Sequence, residues 1–263
     1  MPSRQATNDS HGVDWTLDLE RDDLIPGQLA RGRLRLDVRD DLLREPVQLL
    51  PPTDLRAGET RDLAFEVPVP PLGPASLEAT VSRLSWELEA KLDVPSGFDS
   101  AISIPVRVLQ PTALLRAGVV RVREFALYPS ADSATDGATA SLGFDPMPLC
   151  VGGPFTGRLT VETERPLKLQ EIRLELRVHV KATVSSGLEE DITAWVASLG
   201  GEGELAAGSH AYEFAGEVPS RDLPTIELPH GRTDAAFHVI LARPMARDPH
   251  LVRDVAICST TEI

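Results

Sequence analysis

The sequence predicts an all-β protein of two tandem immunoglobulin-like β-sandwich domains. Three observations carry that expectation. Several runs alternate apolar and polar residues strictly, Pro and Gly clusters separate those runs, and one short phrase occurs twice, about half a chain apart.

From the N-terminus, the first copy of the phrase reads PGQLARGRLRLDV over residues 26–38. Leu34, Leu36 and Val38 alternate with Arg35 and Asp37, the period of a half-buried strand. Gly58, the run Phe65-Glu66-Val67-Pro68, a Pro-rich turn ending at Pro74, and Ser76 follow. Then Leu84, Trp86, Leu88, Ala90, Leu92 and Val94 alternate with polar neighbours, so Trp86 belongs to a core face. Asp99 precedes Ile102, Ile104 and Val106, which close the first half as another alternating strand. Residues 119–128 read as a strand, and the small polar stretch from Pro129 to Gly137 reads as a surface connection.

The second copy reads GGPFTGRLTVET over residues 152–163. The run from Ile172 to Val184 alternates with its charges confined to one face. Gly208, Phe214, the run Glu217-Val218-Pro219, Pro224-Thr225, a strand around Phe237, Asp248 and a strand over 252–257 then repeat the earlier landmarks in order. Self-similarity at this spacing points to duplicated domains rather than a solenoid. The resulting boundaries are an N-terminal sandwich over 12–112, a connecting strand and linker over 113–137, and a C-terminal sandwich over 138–260. The glycines of each phrase read as turn residues that tolerate positive φ on entry to a strand. Periodicity gives Trp15 and Trp195 no placement.

Composition agrees with a folded two-domain chain: 263 residues, 42% hydrophobic and 25% charged. The N-terminus lacks the apolar core of a signal peptide, and no apolar run approaches the roughly 18 residues that span a bilayer. The expectation is therefore a cytoplasmic protein without direct membrane insertion. Cys150 and Cys258 are too few for a disulfide scaffold and lack metal-ligand spacing. They fit a reducing compartment, while a single bridge between them stays open. A formal charge of -14 repels nucleic acid and anionic lipid, so neither is an expected partner.

The order of landmarks resembles the arrestin-like superfamily, which includes arrestins, arrestin-domain trafficking adaptors, a retromer subunit type and bacterial sporulation-control proteins. The residues that carry the likeness are Pro26-Gly27 with Gly32-Arg33-Leu34, the run Phe65 to Pro68, Ser76 before the Trp86 strand, and Ile104 to Leu109. In the second half they are Gly152 to Leu159, Phe214 to Pro219, and Pro224-Thr225. The resemblance implies two sandwiches joined by a linker, with concave faces and exposed strand edges, working by binding rather than catalysis. The chain ends soon after Ile257, without the long regulatory tail of arrestins or the Pro-Pro-x-Tyr signal of ubiquitin-ligase adaptors. A compact member, similar to the sporulation-control proteins, is the better likeness.

Chemical motifs are sparse. No phosphate loop, dinucleotide fingerprint, His-Glu-x-x-His or Gly-x-Ser-x-Gly occurs, and the acidic Gly200-Gly201-Glu202-Gly203 reads as a loop. His250, Asp254 and Cys258 have suitable residue types for a nucleophile, but four residues of strand span about 13 Å and keep neighbours apart. His179 reads as a solvated residue and His238 as a partly buried, hydrogen-bonded one. Glu189-Glu190-Asp191 reads as a solvated loop lacking calcium-loop spacing. No catalytic, cofactor-binding or metal-binding residue is assigned, and no cofactor is expected.

Arginine rows are the one partner-binding signal. Arg33, Arg35 and Arg39 share one strand face, and Arg121 and Arg123 share another. Such rows can hold an acidic or phosphorylated peptide by bidentate contacts, or serve as cross-strand partners of Asp and Glu. The expected function is a non-enzymatic adaptor or scaffold that holds a protein partner through sheet edges, loops or the interdomain groove. Two alternatives are a carbohydrate-binding or hydrolytic sandwich using paired carboxylates, and a structural, self-associating subunit of a larger assembly. Aromatics at 5% argue against a sugar-stacking platform.

Overall fold

The computed structural model describes residues 4–10, 13–38, 58–70, 74–92, 100–112, 124–128, 138–146, 148–182, 187–228, 231–244, 248 and 250–260. The chain is all-β: its described elements are strands throughout. They are β1 (Arg4–Ser10), β2 (Val13–Leu19), β3 (Asp23–Leu24), β4 (Leu29–Val38), β5 (Thr60–Pro68), β6 (Leu77–Glu78), β7 (Arg83–Leu84), β8 (Trp86–Leu92) and β9 (Ser100–Val108). There follow β10 (Glu124–Tyr128), β11 (Ala138–Asp145), β12 (Leu149–Cys150), β13 (Pro154–Thr163), β14 (Leu167–Leu169), β15 (Glu171–Ala182) and β16 (Leu188–Gly200). The last are β17 (Gly203–Leu205), β18 (Gly208–Glu217), β19 (Ile226–Leu228), β20 (Gly231–Ala242), β21 (His250–Val255) and β22 (Ile257–Cys258).

The chain divides into two compact units. The first comprises Met1–Ser76 and Ser85–Leu109; the second comprises Leu77–Leu84 and Gln110–Ile263. The short β6–β7 hairpin thus belongs to the second unit, although its sequence lies among strands of the first. The linker stretch 129–137 lies outside the described residues.

In the first unit, one sheet has the order β1-β2-β4-β5 and another the order β3-β9-β8. Alternation fixes the core: Trp15, Leu17 and Leu19 of β2, Leu34 and Leu36 of β4, and Ile102, Ile104 and Val106 of β9 are buried together. Each such side chain contributes about 1.5–3 kcal/mol when fully removed from water. The Trp15 indole N–H donates to Ser100 Oγ at 2.8 Å, which satisfies its polar atom inside the core. Trp86 is partly buried against the same core and donates to the Pro74 carbonyl at 3.0 Å. Strand β1 lies before the predicted start at residue 12 and has no apolar alternation to announce it.

In the second unit, the larger sheet runs β10-β21-β20-β15-β16 with β19 on β20, and a second sheet runs β11-β13-β18. Even-numbered residues of β15 from Ile172 to Ala182 are all buried, as its alternation predicts. Phe155, Trp195, Phe214 and Phe237 form a ring cluster with edge-to-face and tilted contacts, and Phe144 adjoins it through Phe237.

One corner recurs in both units with the same hydrogen bonds. Gly27 N–H donates to Val69 O, Val69 N–H to Gln28 O, and Gln28 N–H to Ile25 O. Gly152 N–H donates to Val218 O, Val218 N–H to Gly153 O, and Gly153 N–H to Cys150 O. Ser76 and Val108 exchange a backbone bond and a hydroxyl bond, as do Thr225 and Ile257. The short parallel pair β3–β9 matches β12–β22.

The two glycines of each phrase have different duties. Gly27 and Gly152 have φ of 83° and 67°, the left-handed turn that the sequence predicts. Gly32 and Gly157 are instead strand residues, directly opposite Phe65 and Phe214. A Cβ on Gly32 would collide with the Phe65 ring and Asp18 O, and one on Gly157 with the Phe214 ring and Gly143 O. Their glycine identity makes room for a cross-strand ring, a correction to the turn reading.

Cys150 and Cys258 are joined as a disulfide, with Cα atoms 4.8 Å apart. The open alternative of a single bridge is therefore the one realised, across the parallel pair β12–β22.

Candidate functional site

Arg33 and Arg35 lie exposed on β4, as their alternation requires. Across β2, Asp18 stands opposite Arg33; across β5, Asp62 stands opposite Arg35. Arg35 Nε lies 3.1 Å from Asp37, and Arg31 Nε 2.9 Å from Glu66. The Thr60 hydroxyl and then Arg35 hold the Asp37 carboxyl below its ordinary range. Arg39, Arg121 and Arg123 lie outside the described residues. Within the described part, the row is interleaved with acids.

The polar face of β15 forms a second charged ladder. Glu175, 6% exposed, accepts from Arg173 Nε and Arg177 Nε, each at 2.6 Å. Burial alone would raise its pKa, but hydrogen bonds and charge from Arg177 and Arg173 outweigh it and hold the carboxyl below its ordinary value. His238 of β20 stands opposite Glu175. Burial, then the nearby Arg177 and His250 charges, push His238 down to about 4 against the pull of Glu175 and Asp191. Periodicity places Glu175 on the polar face but does not predict that its two arginines cover it.

The expected loop over Glu189-Glu190-Asp191 opens strand β16 instead, and each carboxylate is engaged. Glu189 meets Lys181 Nζ at 2.6 Å, and Asp191 meets His179 Nδ1 at 2.8 Å. His179 is therefore half-buried and hydrogen-bonded to Asp191 rather than simply solvated. Glu190 accepts from Thr80 N–H at 2.7 Å, the Thr80 hydroxyl at 2.9 Å and Val81 N–H at 3.2 Å. These bonds outweigh burial and keep its carboxyl low. The hairpin is held further by Glu78 N–H donating to Asp222 O, and by Arg221 Nε donating to Glu78 O at 3.3 Å. No local sequence signal pairs Thr80 with Glu190, because they are 110 residues apart.

His250 and Asp254 lie on β21, and Cys258, fully buried in its disulfide, supplies no thiol. Two clefts of about 360 and 180 Å³ adjoin Gly27 and Val218 respectively. Sheet edges carry unspent backbone hydrogen-bonding capacity. Among the described residues, β5, β11, β16 and β18 pair on one side only. The edge strand β16 has register irregularities opposite Ile172/Arg173 and Leu176/Arg177, which bend an edge away from casual pairing. Among the described residues, no helix is long and apolar enough to cross a membrane. Neither a protein-family model nor a curated protein matches this chain.

Proposed function

We propose that this chain is a non-enzymatic adaptor or scaffold, built from two copies of one immunoglobulin-like, arrestin-like sandwich, that binds a protein partner through its sheet edges. The observation that carries this reading is where hydrogen-bonding capacity remains. Several cations and carboxylates of the described sheet faces engage one another, whereas, among the described residues, β5, β11, β16 and β18 pair on one side only. The corner repeated in both units supports the duplication, because bonds at corresponding positions recur on both sides of the ladder. The Cys150–Cys258 bridge opposes a cytoplasmic location, since cytosolic thiols are kept reduced.

The test is co-purification of the full chain from its native cell with quantitative mass spectrometry, beside a glycan array. A protein recovered in fixed proportion to the chain, with an empty array, supports the adaptor. No specific protein together with a saturable glycan signal replaces it with the carbohydrate-binding alternative.

A further inference from the structure

The second unit holds a slot with one end bridged over. Its cleft of about 180 Å³ has two walls, Ile192, Thr193 and Ala194 of the edge strand β16 and residues of the 218–223 segment, above a floor of buried Val178 and Ile257. Apart from Thr193 and Arg221 the lining is apolar. At one end the β6–β7 hairpin joins the walls. Thr80 and Val81 donate to Glu190 of β16, Glu78 N–H donates to Asp222 O, and Arg221 Nε donates to Glu78 O at 3.3 Å. Arg221 is exposed and lines the cleft, so its guanidinium, which carries further N–H donors beyond Nε, marks the bridged end. Three consecutive strand residues line one cleft where it meets the strand's edge, because their side chains alternate between faces. Among the described residues β16 pairs with β15 alone, so the backbone on its other side meets the cleft. Ala194 is passed over in the pairing with β15, and Trp195 to Ser198 beyond it return to regular register.

Pockets for drug-sized ligands run to about 300–1,000 Å³, so 180 Å³ suits a single large aliphatic side chain. A bridged end suits a chain terminus rather than a segment passing through, and a guanidinium there complements a carboxylate. We propose that this cleft captures the C-terminus of a partner chain. The last side chain, Leu, Ile or Val, fills the cleft, the terminal carboxylate meets Arg221, and the preceding residues add to β16 as an antiparallel strand beside Trp195 to Ser198. The direction follows from the hairpin, which occupies the Glu190 end of β16. The added strand covers Val196, which is 54% exposed. The net charge of -14 opposes an acidic segment, which restricts the residues before the terminus to neutral or basic ones. This inference rests on the adaptor reading and names the kind of partner segment it takes.

The test is fluorescence anisotropy of a labelled hexapeptide, Lys-Thr-Val-Thr-Val-Leu, titrated into the full chain with its C-terminus either free or amidated. The free acid should bind about ten-fold more tightly than the amide, the worth of one charge-assisted hydrogen bond. Arg221→Gln should erase that preference and leave the amide's affinity as it was. Ala194→Phe fills the cleft and should weaken both peptides by about ten-fold. Methylating alternate peptide nitrogens should weaken binding in one of the two alternations only, as addition to a strand edge requires. Arg221→Gln keeps the test intact if Ala194→Phe does not fold. Equal affinity for acid and amide, or a preference that survives Arg221→Gln, overturns the proposal. Octanoate binding as tightly as the free-acid peptide also overturns it, in favour of a site for small apolar acids. A native partner recovered equally by the unaltered chain and by both variants removes this site while leaving the adaptor reading in place.

Discussion

The corners at Gly27 and Gly152 are the same piece of backbone closed by different chemistry. Both have a left-handed glycine, the same three turn bonds, and a hydroxyl residue bonded to the last strand. In the second unit, Cys150 and Cys258 close the corner covalently. The matching positions in the first unit are Ile25 and Leu109, 3% and 7% exposed. One geometry therefore accepts either a disulfide or a buried apolar pair, which separates what the backbone requires from what holds it shut.

The largest expected effect breaks that difference directly. The disulfide closes a loop with a sequence separation of 108 residues. Its reduction, or Cys150→Ala with Cys258→Ala, should destabilise the second unit by about 4–5 kcal/mol on the chain-entropy model. Leu109→Ala should cost the first unit about 2–4 kcal/mol. Hydrogen exchange resolved to peptides of each unit reads the two separately. If reductant leaves exchange in β13 and β22 unchanged, the covalent closure is not what stabilises the second corner.

The strand glycines offer a sharper test of likeness. Gly32→Ala and Gly157→Ala each drive a methyl into a phenylalanine ring and a backbone carbonyl. Each should cost about 1–3 kcal/mol as overpacking, and Phe65→Leu or Phe214→Leu should recover part of it. Denaturant titration measures both. A neutral Gly157→Ala beside a costly Gly32→Ala would show that the rings are held differently and weaken the proposed duplication.

The legible part of this fold follows from what local sequence encodes. Alternation in 84–92 and 172–182 placed core faces because a strand's side chains alternate regardless of context. The repeated phrase located both corners for the same reason, since a left-handed turn demands a particular residue. Strand β1 escaped because its residues carry no apolar pattern and its pairing is supplied by β2. Glu190 reads as a loop residue in the sequence because three consecutive acids suggest solvent, whereas the donors that hold it come from a distant hairpin. The Arg33 and Arg35 faces were readable, but their acidic neighbours depended on register, which alternation alone does not fix.

The smallest expected effect is a difference in acid response. His238 titrates near 4 in the folded second unit against an ordinary 6.5, so the unfolded chain binds the proton more readily across that interval. The contribution of its neutral form is complete above about pH 6.5 and is lost as pH falls towards and below about 4. Glu175 adds a loss below its ordinary carboxyl range, because Arg177 and Arg173 stabilise its charged form. The shift on His238 is screened by partial exposure, so the slope should stay well under the roughly 1.4 kcal/mol per pH unit of a fully buried group. His238→Gln should flatten the fall in second-unit protection between pH 6.5 and 4, leaving the first unit's profile as it was. Exchange rates corrected for intrinsic pH dependence report the two units side by side. An unchanged slope in that variant would assign the acid response to the carboxylate ladder of β15 rather than to the histidine opposite Glu175.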